Sequence, residues 1–153
     1  MDAGRGLLLC GDGTGKLTPV PGQVSGIKIY GEQRGAALAD FDHDGRLDLV
    51  VSQNSAATKL YHNVGAKPGL RVQLIGPPGN PSALGAVLRL GDGARRWGAA
   101  RQLHAGAGYW SQDSAVAVLG AGFDAKVLQV KWPGGKVTTN PIPAAATQLT
   151  VHP

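Results

Sequence analysis

The apolar positions fall in short runs, each broken by glycine, proline or aspartate, and none keeps a helical period. Residues 6–10 form one run and 17–20 the next, joined by Gly11-Asp12-Gly13-Thr14-Gly15-Lys16. Strand, glycine-rich turn, strand is the pattern of a hairpin. Weak alternation follows at 27–30, then extended stretches at 35–39, 47–51 and 59–64. Further along, runs at 70–75, 86–90, 94–103, 115–119 and 127–132 read as strands, and Pro133-Gly134-Gly135-Lys136 turns the last of these into 137–139. Residues 149–151 close the series. Short strands at regular spacing with turn signals between them predict an all-β chain built as an antiparallel sandwich or barrel, with no helix of any length.

Composition supports this and divides the chain. There are 24 Gly and 10 Pro against eight aromatics, a density of punctuation suited to tight turns rather than long helices. Hydrophobic residues make up 42%, enough for a packed core. The small, Pro-containing stretch Gly65-Ala66-Lys67-Pro68-Gly69 is the expected boundary between units at 1–66 and 67–153. Charge splits at the same place. The first unit holds six basic and seven acidic side chains, the second nine and three. The basic residues of the second unit are scattered, with only Arg95-Arg96 adjacent and no interleaved aromatic stripe, so no nucleic-acid partner is expected. No apolar window is long enough to span a bilayer. Residues 1–6 lack the basic head and apolar run of an export signal. Cys10 is the only cysteine, so no disulfide forms within the chain, and a buried thiol is the expectation for it.

The candidate chemistry lies in Asp40-Phe41-Asp42-His43-Asp44-Gly45-Arg46-Leu47-Asp48, with carboxylates at loop positions 1, 3, 5 and 9 and Gly at 6. Alternate side chains of a curled loop converge, so these oxygens can wrap a hard cation, and the carbonyl of Arg46 can add one more. Gly45 permits the sharp turn. All-oxygen ligation favours Ca²⁺, with Mg²⁺ or Mn²⁺ as lesser alternatives. An EF-hand begins the same way but needs Glu at position 12 and flanking helices. Here position 12 is Val51, inside a β-like run.

Other signals fall short. Gly11, Gly13 and Gly15 match neither a Walker loop nor a dinucleotide fingerprint. Ser25 has no nucleophile elbow around it. His43, His62, His104 and His152 lack zinc-ligand spacing, and His43, at an even loop position, should point outward. Tyr109 and Trp110, with Trp132, suit a surface on which sugars or bases stack; core or hinge packing is the simpler expectation.

Two resemblances follow from these motifs. The stretch 35–63, centred on Ala39-Asp40-Phe41-Asp42-His43-Asp44-Gly45-Arg46-Leu47-Asp48-Leu49-Val50-Val51, resembles an FG-GAP/VCBS repeat, a blade of integrin-type β-propellers. That likeness implies calcium ligation by the side chains of Asp40, Asp42, Asp44 and Asp48 and the carbonyl of Arg46. Residues 7–18 are similar to the closing hairpin of a preceding blade. Residues 69–152 resemble an ASPIC/UnbV domain. The matching pieces are Gly69-Leu70-Arg71-Val72-Gln73-Leu74, Leu84-Gly85-Ala86-Val87-Leu88, Gly106-Ala107-Gly108-Tyr109-Trp110-Ser111-Gln112 and Val130-Lys131-Trp132-Pro133-Gly134-Gly135-Lys136-Val137. The expected architecture is therefore about one and a half propeller blades followed by a small sandwich or barrel-like β domain. A propeller closes only with several blades, so open sheet edges and an uncovered apolar face are implied, inviting self-association into a homo-oligomer. The chain is expected to be the C-terminal part of a longer, exported protein, secreted or periplasmic, or else a natural short form that covers those edges by oligomerising. The expected function is a non-enzymatic calcium-binding β module for extracellular or envelope binding and adhesion, with a protein or glycan partner. The alternatives are a metal-dependent hydrolase, acting on phosphoesters through the aspartate-loop cation with His43 or His62 adjacent, and a carbohydrate-binding module using Tyr109 and Trp110.

Overall fold

The computed structural model describes residues 6–153, so the leaderless reading of the first residues falls mainly outside the described part. Twelve strands and one helical turn are arranged in four small sheets. The chain opens with the hairpin of β1 (Leu8–Gly11) and β2 (Leu17–Val20). A single turn, α1 (Gly22–Ser25), follows Pro21 and ends on left-handed Gly26. Four residues bounded by proline and glycine hold a turn and no more. Next, β3 (Glu32–Ala39), β4 (Asp48–Asn54) and β5 (Ala56–Tyr61) form an antiparallel meander. The aspartate loop joins β3 to β4, so it feeds a strand as expected, and no EF-hand helix flanks it.

The rest of the chain forms two sheets, one ordered β11-β10-β7-β8 and the other β12-β6-β9. Their strands are β6 (Leu70–Leu74), β7 (Val87–Gly91), β8 (Arg101–Gln102), β9 (Ala117–Leu119), β10 (Val127–Lys131), β11 (Val137–Pro141) and β12 (Gln148–Val151). Alternation decides what is buried. Leu88 and Leu90 of β7, Leu128 and Val130 of β10, and Leu70, Val72 and Leu74 of β6 point into one shared core, joined by Ala117, Leu119, Leu103, Val151 and Trp132. The Trp132 indole N–H donates to Thr138 Oγ1 at 2.9 Å, which satisfies its polar end inside the core.

Several expectations change here. β12 pairs with β6 in parallel, not antiparallel. Parallel neighbours need a long crossover, and the strands β7 to β11 supply one. The stretch 94–103 yields only the short β8, with Trp97 bridging to Gly91. Residues 27–30 form no strand, although Ile29 is fully buried. Cys10 is exposed rather than buried, because its hairpin packs neither face: Leu8, Leu9 and Leu17 are exposed as well. Trp132 belongs to the core while Tyr109 and Trp110 stand in solvent, so the three aromatics share no surface. No helix among the described residues is long and apolar enough to cross a membrane.

Candidate metal centre

The loop between β3 and β4 folds around its own carboxylates. Asp40 and Asp48, at its two ends, are buried; Asp42 and His43 are exposed, as the even position of His43 predicts for that residue. Asp48 accepts the N–H of Phe41 on Oδ2 at 3.0 Å and the N–H of Asn63 on Oδ1 at 2.8 Å. Asn63 also donates from its side chain to the Leu47 carbonyl at 3.1 Å, closing the loop from the end of β5. Gly45 sits at φ +82°, and its carbonyl accepts the N–H of Gly69 at 2.8 Å. A Cβ at Gly45 would lie 3.0 Å from the Gly69 carbonyl oxygen, so both conformation and space call for glycine.

Asp40 is the centre of the arrangement. Its side chain is 1% exposed, and Oδ2 accepts the Gly45 N–H at 3.0 Å. The same oxygen lies 2.6 Å from Nε of Arg71, a β6 residue whose side chain is 11% exposed. The approach is close but off the N–H axis, so it is a charge pair rather than an aligned hydrogen bond. Oδ1 of Asp40 is buried and has no hydrogen-bond partner among the described residues. An orphaned carboxylate oxygen in the interior is costly unless something meets it.

The carboxylate of Asp40 also groups with others of the loop. One oxygen from each of Asp40, Asp42 and Asp48 lies within 4.8 Å of the others, a spacing that suits a shared cation. Three of the four predicted carboxylates thus come together. Asp44 instead groups with Asp42 and His62. Its Oδ1 accepts the N–H of Arg46 at 2.8 Å, and Oδ2 pairs with the Arg46 guanidinium. Desolvation pushes the Asp44 carboxyl up, but the hydrogen bonds and charge of Arg46 outweigh it and hold the group below its ordinary value. The Arg46 side chain also reaches the Ala66 carbonyl at 2.6 Å. His62 Nε2 lies 2.9 Å from Asp42 Oδ2, placing an imidazole beside the cluster.

Sequence reasoning overlooked Arg71 and Asn63. Arg71 alternates with Leu70 and Val72 and looks like a solvent-side residue of β6; it is buried because the aspartate loop lies over that face. Asn63, next to His62 at the end of β5, carries no spacing signal to a loop fifteen residues away.

Tyr109 and Trp110 stack on one another, centroids 5.4 Å apart and planes 8° off parallel, and both are exposed. Their loop is fastened to β3. The Leu38 N–H donates to Asp113 Oδ1 at 2.8 Å, and the Ser114 N–H donates to the Leu38 carbonyl at 2.9 Å. A cleft of about 330 Å³ opens beside it, lined by Arg101, His104, Asp113 and Ser114 among others.

Residues 76–153 match the model of the ASPIC and UnbV family. Cartilage acidic protein 1 of Xenopus tropicalis is 32% identical over 127 residues, which is 80% of this chain and 19% of that protein. The chain spans about a fifth of the curated relative it matches. On that match, which covers half of the chain, this chain belongs to the ASPIC and UnbV family.

Proposed function

We propose that the chain is a calcium-stabilised β module of a longer exported protein, in which an FG-GAP/VCBS-type repeat over 1–66 leads into the ASPIC/UnbV domain over 67–153, and that it serves in extracellular or envelope binding. Two observations support the cation: Asp40 has a buried Oδ1 with no partner among the described residues, and its carboxylate groups with those of Asp42 and Asp48. Oxygen-only ligands select a hard ion, and calcium tolerates the irregular geometry of a loop better than magnesium does. Asp44 and the Arg46 carbonyl complete the expected ligand set, Asp44 by turning from Arg46 when the ion binds. The exposed leucines of β1 and β2 favour association with further blades or a second copy. Titration calorimetry with calcium tests the cation: the expected result is one site, lost in Asp42→Ala and weakened in Asp44→Ala. Absence of binding to the unaltered chain overturns it.

The stacked, exposed Tyr109–Trp110 pair, in the loop whose other residues line a cleft of mixed polar and apolar walls, favours a glycan as the partner. A glycan array on the unaltered chain and on Trp110→Ala tests this. Binding that disappears with the indole supports the reading, and no binding to any neutral or acidic saccharide rejects it.

A further inference from the structure

Arg71 touches three things at once. Its guanidinium lies 2.6 Å from Asp40 Oδ2 through Nε, and its Nη1 donates to Gln148 Oε1 at 2.7 Å. Its backbone N–H donates to the Thr147 carbonyl at 2.9 Å. Gln148 is the first residue of β12, which pairs in parallel with β6 from Gln148 opposite Arg71 to Val151 opposite Leu74. One side chain therefore spans from a buried carboxylate of the aspartate loop to the start of the last strand.

Asp40 divides its two oxygens accordingly. Oδ2 is committed to Arg71 and the Gly45 N–H, while Oδ1 has no partner among the described residues. A carboxylate held this way offers a cation one oxygen only, in a fixed direction. We infer that Arg71 is a positioning residue for the cation site, sharing Asp40 with the bound ion and transmitting its occupancy to β12. The inference rests on the cation reading given above.

Two consequences follow with opposite signs. The ion fixes Asp40, Asp40 fixes the guanidinium, and the guanidinium fixes Gln148, so cation binding slows opening of the β6–β12 pair. The fixed positive charge beside Asp40 also opposes the ion, so removing it leaves a buried negative charge that a cation then neutralises. Linkage requires these effects to be reciprocal: whatever the ion contributes to β12, an intact β12 contributes to ion affinity.

Hydrogen exchange of the full chain, with and without calcium, combined with calorimetry, tests this. In the unaltered protein calcium should slow exchange at residues 149–151 several-fold as well as in residues 40–48. In Gln148→Ala, whose side chain is exposed and whose loss leaves the core intact, the loop should keep its protection while that of 149–151 falls to the calcium-free level. In Arg71→Met calcium should bind several-fold more tightly and protect the loop alone. Calcium binding that protects the loop while leaving 149–151 unchanged in the unaltered chain refutes the relay, whatever the variants do. Should calorimetry find no binding at all, the cation reading itself fails, and the relay with it. If Arg71→Met does not fold, the Gln148→Ala comparison decides alone.

Discussion

At the scale of single residues, the molecule is organised by aspartates that accept backbone N–H groups. Asp92 shows the effect apart from the cation loop: its Oδ1 accepts the N–H groups of Ala94 at 2.8 Å and Arg96 at 3.1 Å. The Ala94 bond is the main reason its carboxyl sits below the ordinary value, with a smaller opposing effect of desolvation. A depressed folded value means the unfolded chain binds the proton more readily. Stability from this turn is therefore complete above the ordinary unfolded value and lost as pH falls through the folded one. Asp92→Asn should flatten the acid limb of a stability profile measured by urea denaturation across pH; an unchanged slope contradicts the assignment. Asp40 makes a different case. Asp40→Asn leaves Arg71 charged and buried without its partner, and should cost about 3–5 kcal/mol of unfolding free energy without metal. Gly45→Ala adds a Cβ at positive φ against the Gly69 carbonyl, with an expected loss of about 1–3 kcal/mol.

At the scale of elements, the two parts of the chain differ in how well they bury what they carry. β10 alternates cleanly, and Leu128 and Val130 have no exposed surface. Leu128→Ala should cost about 2–5 kcal/mol. In β5, Leu60 is 54% exposed, and Leu60→Ala should change stability by no more than about 0.5 kcal/mol. Chemical denaturation of both variants checks the contrast. This difference also marks how far the sequence could be read. Period-two alternation locates β7 and β10, where Leu88, Leu90, Leu128 and Val130 are buried in step with the period, and the Asp-Gly spacing locates the cation loop. The parallel seat of β12 could not be read, since pairing direction depends on the path of the chain through another sheet. Nor could the failure of 94–103 to form a long strand, where the chain bends so that Trp97 meets Gly91. The partners of the aspartate loop were hidden for the same reason: Arg71 and Asn63 reach it only after the sheets have assembled.

At the scale of the whole molecule, the aspartate loop and β3 are tied to β6, the residues just before it, and the loop before β9. Arg71 meets Asp40, the Gly69 N–H meets the Gly45 carbonyl, and Asp113 and Ser114 clasp Leu38, all within the strand and loop that carry the proposed ligands. The β1–β2 hairpin is bare, with Leu7, Leu8, Leu9 and Leu17 exposed as Cys10 is. The proposed self-association should therefore appear as concentration-dependent mass in sedimentation velocity. Leu17→Lys should suppress it, and a monomer at every concentration contradicts it. In the proposed site Asp40 Oδ1 faces a cation, and a crystal structure grown with calcium tests this. An ion is expected at about 2.3–2.6 Å from Asp40 Oδ1, Asp42 and Asp48, with Arg71 still on Oδ2. An ion held only by Asp42, Asp44 and His62, or none, would contradict it.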